Sequence, residues 1–134
     1  MRRSTSILLA VGVLGLVVLG AVVAYDAAKA QRTLRERAEA VAGGNVDRGR
    51  AAIERFGCGA CHAIPGLAGP HGLVGPPLAG VGERAYVAGR LRNTPSNLAR
   101  WIAHPQAVEP GNAMPDLGVS EAQARDIVAY LYAQ

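Results

Sequence analysis

Residues 58–62 read Cys-Gly-Ala-Cys-His, and the interpretation of the whole chain starts from these five residues. Their C-x-x-C-H spacing is the pattern associated with covalent attachment of a c-type haem. Two thiols three residues apart lie within one turn of chain and can add to vinyl groups of the same porphyrin. The next residue, His62, then lies under the iron as the proximal ligand. The motif therefore predicts one haem c attached through Cys58 and Cys61, with His62 as an iron ligand.

Two other kinds of site would use the same cysteines. A disulfide or thioredoxin-like redox pair needs a βαβ context with parallel strands, and the sequence contains no convincing strand. A zinc site needs further ligands, but the chain has only two cysteines and no suitably spaced pair of histidines. Haem attachment is favoured over both.

The second axial ligand has to come from Met114, His71 or His104, because Met1 precedes a long apolar segment. Met114 lies in Glu-Pro-Gly-Asn-Ala-Met-Pro, a run of turn-forming residues in which a methionine has no core to fill. A thioether ligand raises the reduction potential of the iron and occupies its sixth position. His71 lies among glycines and His104 precedes Pro105 at a helix end, so both are predicted to be exposed or capping residues. Met114 is therefore the predicted ligand.

The composition limits the size and the kind of protein. The 134 residues leave room for one ordinary domain and exclude a multidomain enzyme. Only six residues are aromatic, so a core built from small aliphatic side chains would be thin. Residues 63–82, with six glycines and four prolines, are predicted to be irregular and to wrap a large apolar body such as a haem. Residues 45–134 carry a net charge near +1, which excludes a domain-wide basic face for nucleic acid.

The N-terminal segment predicts a membrane span. Ile7 to Ala24 is an uncharged run of eighteen residues, which as a helix would be ~27 Å long and nearly cross the hydrocarbon core. Arg2 and Arg3 precede it and no basic residue follows until Lys29, so the N-terminus is predicted to stay in the cytoplasm and the rest to be exported. A cleaved signal peptide, with Ala28-Lys29-Ala30 as its cleavage site, is the alternative, but the apolar region of such peptides usually has about 7–15 residues. A retained transmembrane helix is favoured.

The chain is therefore divided into three predicted parts. Residues 1–25 form a cytoplasmic tip and a transmembrane signal-anchor helix, residues 26–44 a helical stalk, and residues 45–134 a haem-binding head domain. The stalk is rich in strong helix formers, and Gly43-Gly44 ends it as a hinge.

Capping residues predict three helices in the head domain. Asn45 caps a helix from Val46 to about Phe56. Thr94-Pro95 is a cap followed by a first-turn proline, and the helix that it starts reaches Ala103. Ser120-Glu-Ala-Gln123 is a capping box that opens the last helix.

These motifs together resemble the class I cytochromes c, and the resemblance covers residues 45–134. Four stretches, at 75–78, 84–86, 93–102 and 110–115, are most similar to the cytochrome c domain fused to subunit II of some bacterial haem-copper oxidases. They also resemble small membrane-anchored cytochromes c that serve such oxidases. The sequence lacks the copper-binding domain of the fused subunits, so a separate carrier or accessory subunit is expected. The resemblance implies an all-α fold, with an N-terminal transmembrane helix and three to five helices around one covalently bound haem.

The resemblance also implies roles for four further residues. Pro76 matches a proline whose carbonyl accepts the Nδ1 hydrogen of the proximal histidine in that family. Trp101, Tyr86 and Arg84 match residues that meet the haem propionates there. Trp101 also fits an ordinary core position, and Arg84 also fits a solvated loop charge, so both alternatives stay open.

The implied function is electron transfer. A haem held by histidine and methionine has no free iron position, which favours a carrier over an enzyme, and no small-molecule substrate is expected. The resemblance implies a monohaem cytochrome c in a respiratory chain, between a quinol-oxidising complex and a terminal oxidase or as a relay subunit. Its haem domain would lie on the periplasmic side of a bacterial inner membrane. The alternatives are a peroxidase or gas sensor, if Met114 is weakly bound, and a structural accessory subunit.

Overall fold

The structure, a computed structural model, describes the backbone of residues 2–68, 72 and 74–134, and side chains from residue 11 onwards. This part of the chain is mostly helical, as predicted, and divides into a first unit ending at Thr33 and a second unit, Leu34–Gln134. The elements in chain order are α1 (Arg2–Ala42), α2 (Val46–Arg55), a 3-10 turn (Cys58–Ala60), a second 3-10 turn (Val81–Glu83), β1 (Tyr86–Val87), β2 (Leu91–Arg92), α3 (Pro95–Ala103), α4 (Pro105–Val108) and α5 (Glu121–Tyr132).

The first unit is a single helical segment within α1. Its apolar side chains are exposed, among them Val11, Leu16 and Val23. One 18-residue window has a mean hydropathy of 2.1, so the helix is long and apolar enough to cross a membrane. A helix that is apolar on all sides needs an apolar environment, which a bilayer would provide.

The second unit is built on the crossing of α2 and α5. The two backbones meet at Gly49, where an added Cβ would lie 2.0 Å from the Asp126 carbonyl oxygen and 3.0 Å from the Tyr130 Cβ. Only glycine permits this approach. The buried Asp126 carboxylate accepts hydrogen bonds from the Asn45 backbone N–H (2.7 Å) and from the Arg48 guanidinium (2.9 Å). The crossing is therefore fixed by a close backbone contact and by a buried polar network.

The last turns of α1 belong to this second unit, because Ala38 and Ala42 are buried in its core. Gly43, with a φ of +64°, ends the helix, and its N–H donates to the Glu39 carbonyl (2.9 Å). Gly44, predicted as part of a hinge, has no room for a side chain, since an added Cβ would lie 2.3 Å from the Arg125 carbonyl oxygen. The glycine pair thus makes a close contact with α5.

The predicted helix ends agree with the structure, but the two strands, α4 and the two 3-10 turns were not predicted. Asn45 and Thr94 cap α2 and α3 through their side chains, and both hydrogen bonds of the capping box are present at the start of α5. The expectation of no strand misses the antiparallel β1–β2 pair, in which Tyr86 lies opposite Arg92. Strands of two residues are too short to carry an alternating pattern, and the single turn of α4 is too short for a helical one.

Candidate functional site

A cavity of about 540 Å³ lies within the second unit, and all the predicted site residues line it. Its walls are mainly apolar; α2, α3 and α5 contribute side chains such as Ile53, Leu98 and Ile127, and most of the other lining residues belong to the segments between the helices. The predicted residues on its lining are Cys58, Cys61, His62, Pro76, Arg84, Tyr86, Trp101 and Met114.

The two cysteines lie in one tight turn. Gly57, with a φ of +66°, leads into the 3-10 turn, and the N–H groups of Cys61 (3.3 Å) and His62 (3.0 Å) both donate to the Cys58 carbonyl. Both cysteines are half-buried free thiols. Burial raises the pKa of the Cys58 thiol, whereas redox-active dithiols have a lowered pKa. Within the described residues, no group of three or more His, Cys, Asp or Glu side chains could hold a metal ion. The raised pKa of Cys58 is the opposite of what a thioredoxin-like pair requires.

The imidazole of His62 is held on two sides. Its Nδ1 lies 2.8 Å from the Pro76 carbonyl oxygen, which accepts the Nδ1 hydrogen. Gly75 lies against the ring, because an added Cβ there would be 2.3 Å from Cε1 and 2.5 Å from Nδ1. A proton fixed on Nδ1 leaves the lone pair on Nε2, the atom that binds iron in such sites. The segment that holds the ring is itself joined to the cysteine turn, since the Gly75 N–H donates to the Cys61 carbonyl (2.8 Å).

Met114 is half-buried in the loop between α4 and α5. Its N–H donates to Asn112 Oδ1 (2.7 Å), and its carbonyl accepts from Gln106 Nε2 (2.7 Å). The sequence did not predict these two amides as site residues. Asn112 lies in the run of turn-forming residues around Met114 and Gln106 lies in α4, and their contacts with Met114 exist only once the loop has closed.

The three residues matched to propionate contacts differ in their environment. Arg84 donates to the carbonyls of Pro77 and Ala79, so these hydrogen bonds hold its guanidinium and the side chain is not freely solvated. Trp101 is half-buried and packs against the core while it also lines the cavity, which is consistent with both interpretations of this residue. Tyr86 is 59% exposed at the cavity.

The structure describes only one of the two alternative axial histidines. Among the described residues, His104 does not line the cavity, and its Nε2 lies 3.1 Å from Glu121 Oε1 on an exposed surface. His71 lies outside the described residues.

The residues present fit a covalently bound haem. One cavity is lined by two thiols three residues apart, by an imidazole with a fixed tautomer and by a thioether, and this is the donor set of a c-type haem. The apolar walls suit the faces of a porphyrin.

Comparison with known proteins agrees with this chemistry. Residues 46–133 match the cytochrome c family. Over 65 residues the chain is 37% identical to cytochrome c oxidase subunit 2 of Bacillus sp. (strain PS3). The aligned segment covers 47% of this chain and 18% of that protein. The chain thus spans less than a fifth of the length of that curated relative. No solved structure gives a significant match. Since the family match covers well over half of the sequence, and the fold is all-α as the resemblance implied, the chain belongs to the cytochrome c family, whose members carry haem and transfer electrons.

Proposed function

We propose that this protein is a membrane-anchored monohaem cytochrome c that passes single electrons along a respiratory chain. It would take them from a quinol-oxidising complex and give them to a terminal haem-copper oxidase, or act as a relay subunit within such an assembly. The observation that carries the proposal is the shared lining of one apolar cavity by Cys58, Cys61, His62 and Met114.

The chain's own residues have distinct tasks in this function. Cys58 and Cys61 would hold the haem through their sulfurs, and His62 and Met114 would bind its iron. The haem, when bound, supplies one-electron chemistry at its iron. The Pro76 carbonyl keeps the proton of His62 on Nδ1, so that the lone pair of Nε2 would be available to bind the iron. With both axial positions taken, a substrate would have to displace Met114, which favours the carrier over a peroxidase or a gas sensor.

Arg84, Tyr86 and Trp101 are proposed to meet the haem propionates. All three line the cavity, and their guanidinium, hydroxyl and indole groups are hydrogen-bond donors. A donor paired with a carboxylate makes a stronger hydrogen bond than one between neutral groups. These residues would therefore orient the haem, and the Arg84 guanidinium would also offset the negative charge of the propionates.

The membrane placement rests on the N-terminal segment. Residues 1–25 are proposed to stay as a transmembrane anchor, with residues 26–44 as the stalk and residues 45–134 on the periplasmic side of a bacterial inner membrane. The exposed apolar helix and the basic N-terminus support this orientation. The likeness to cytochrome c oxidase subunit 2 supports a terminal oxidase as the electron acceptor.

The test starts from the full chain purified from solubilised membranes. Mass spectrometry is expected to find the added mass of one haem, and the spectrum is expected to be low-spin in both oxidation states with slow binding of carbon monoxide. Stopped-flow mixing is expected to show reduction by a purified quinol-oxidising complex and oxidation by a purified terminal oxidase.

Three results would count against the proposal. Absence of the haem mass would refute it completely. A high-spin spectrum with rapid carbon monoxide binding would point to a sensor or a peroxidase. Unchanged oxidase turnover in a Met114→Leu variant would point to a structural subunit.

A further inference from the structure

Both backbone polar groups of Met114 are held by side-chain amides. The residue lies in the loop after α4, outside every helix and strand, so no regular hydrogen-bond ladder fixes its backbone. Its N–H donates to Asn112 Oδ1 (2.7 Å) and its carbonyl accepts from Gln106 Nε2 (2.7 Å). The position of the thioether therefore depends on these two side chains.

The amide of Gln106 makes three hydrogen bonds, all of them within this loop. Nε2 donates to the carbonyl of Asn112 (2.9 Å) as well as to that of Met114, and Oε1 accepts from the Gly111 N–H (3.0 Å). One half-buried side chain thus bonds to three of the four loop residues from 111 to 114. Gln106 belongs to α4, so these bonds tie the loop to a helical turn.

The amide of Asn112 makes the reciprocal connection. Its Oδ1 takes the Met114 N–H, and its Nδ2 donates to the carbonyls of Pro105 (2.9 Å) and Glu109 (2.6 Å). The side chain therefore runs from Met114 back to the first residue of α4. Together the two amides hold the methionine loop closed upon α4.

We propose that Gln106 and Asn112 are positioning residues, an amide clamp that keeps the Met114 thioether at the sixth iron position. The inference rests on the proposed role of Met114 as an axial ligand. Without the Gln106 amide, two carbonyls and one N–H of the loop lose their partners, and without the Asn112 amide two further carbonyls and the Met114 N–H lose theirs. The thioether is still present, but the loop opens more often. External ligands then compete more successfully for the iron, and the methionine–iron bond is weakened in the ferric protein.

The test compares the clamp variant Gln106→Glu with a matched control. Gln106→Glu keeps the size of the side chain and one acceptor oxygen, but it replaces the Nε2 donor with an oxygen that faces two carbonyls. The control is Asn97→Asp in α3. It removes a similar hydrogen bond of a side-chain amide, from Asn97 Nδ2 to the Arg92 carbonyl (2.9 Å). The full-length ferric protein in detergent is titrated with imidazole, and the weak methionine–iron absorption at the red end of the visible spectrum is recorded.

Gln106→Glu is expected to bind imidazole about tenfold more tightly than the unsubstituted protein, the factor that follows from losing one or two net hydrogen bonds. Its methionine–iron band is expected to be weaker. Asn97→Asp is expected to lower the urea midpoint of unfolding without changing either property. Asn112→Asp, which keeps the acceptor for the Met114 N–H, is expected to change imidazole affinity in the same direction but less, and it serves as the test if Gln106→Glu does not fold.

Met114→Ala separates failure of the clamp from failure of the proposed function. If Met114→Ala leaves the band and the imidazole affinity unchanged, Met114 is not the ligand and both proposals fall. If Met114→Ala changes the band and the imidazole affinity while Gln106→Glu, or Asn112→Asp in its place, behaves like Asn97→Asp, the clamp is refuted and the proposed function stands.

Discussion

At His62, a hydrogen bond and a glycine act on the same imidazole ring. The Pro76 carbonyl accepts the Nδ1 hydrogen, and the backbone of Gly75 lies so close that no side chain fits between it and the ring. The hydrogen bond sets which nitrogen carries the proton, and the contact limits rotation of the ring. Both act before any ligand is bound.

A Gly75→Ala substitution is expected to disturb this arrangement. The new Cβ would lie 2.3 Å from Cε1, so either the ring or the backbone has to move, and such overpacking costs about 1–3 kcal/mol. The expected result is lower stability to urea together with a smaller low-spin fraction in the haem spectrum. The control is Gly82→Ala, whose Cβ would lie 3.1 Å from the movable ring of Tyr132. Equal effects of the two substitutions on the spectrum would contradict this account.

Single residues differ in how far their roles could be predicted from the sequence. That the cysteines, His62 and Met114 line one site could be predicted from residue type, spacing and a turn-rich context. The Gly75 contact and the Gln106 amide could not, because each depends on two segments that meet only in the folded chain.

At the scale of the elements, the end of α1 is joined to the start of α2 by one carboxylate. Glu39 Oε1 accepts from Asn45 Nδ2 (2.8 Å) and from the Val46 N–H (2.9 Å). The second of these is one of the N–H groups that a helix N-terminus leaves without an internal partner. Glu39 thus acts as a cap on α2 that is supplied by the preceding helix.

Glu39→Ala is expected to destabilise the second unit. It removes two acceptor contacts, each worth about 0.5–1.5 kcal/mol net, so a loss of about 2 kcal/mol is expected. Urea unfolding of the full-length protein, followed by Trp101 fluorescence, measures the loss. Glu36→Ala, on an exposed position of the same helix, is expected to change stability by less than about 0.5 kcal/mol. Similar losses for the two variants would show that the cap has no role.

The α2–α5 crossing is expected to make stability depend on acid. Burial acts to raise the pKa of Asp126, but hydrogen bonds from Arg48 and from the Asn45 N–H outweigh it and hold the pKa below its ordinary value. The folded state therefore binds this proton less readily than the unfolded chain. The stabilisation is complete above the unfolded pKa of about 3.9 and disappears as the pH falls through the lower folded pKa.

Asp126→Asn tests this acid dependence. It is expected to cost about 2 kcal/mol at neutral pH, since it weakens hydrogen bonds to a charged acceptor. The difference from the unsubstituted protein is expected to shrink as the pH is lowered below about 4. The control Asp47→Asn breaks an ion pair with Arg35 (2.7 Å), but the Asp47 side chain is 75% exposed, so little change is expected. A loss for Asp126→Asn that stays constant down to acid pH would be inconsistent with the lowered pKa.

The helices were predictable because caps are local signals. Asn45, Thr94 and Ser120 each bond to an N–H within three residues, and such a contact needs only the local sequence. The packing of Gly44 against α5 was not predictable, since the same Gly-Gly pair also fits a hinge. Each cap joins residues three apart in the sequence, whereas Gly44 and Arg125 are distant in sequence, and this difference decides which contact could be predicted.

At the scale of the whole molecule, part of the aliphatic core of the second unit borders the site instead of other side chains. The core residues are mostly Ala, Val, Ile and Leu, and several of them line the cavity of about 540 Å³. The side chains that line it can bury part of their apolar surface only against a group bound in the cavity, so the aliphatic core by itself contributes less hydrophobic stabilisation than its size suggests. Ordinary domains are stable by only about 5–15 kcal/mol, so such a deficit matters.

The chain without its haem is therefore expected to lack a stable tertiary structure in the second unit. A Cys58→Ser, Cys61→Ser double variant prevents covalent attachment with little change in side-chain volume.

Far-UV circular dichroism alone would mislead, because the apolar part of α1 is expected to stay helical in detergent. Trp101, the single tryptophan, lines the cavity and reports on the second unit instead. Its fluorescence is expected to shift to the red and to change without a cooperative transition on heating, whereas the haem-bearing protein melts in one step. A double variant that melts cooperatively near the temperature of the haem-bearing protein would show that the aliphatic core suffices and that the cavity is not what limits folding.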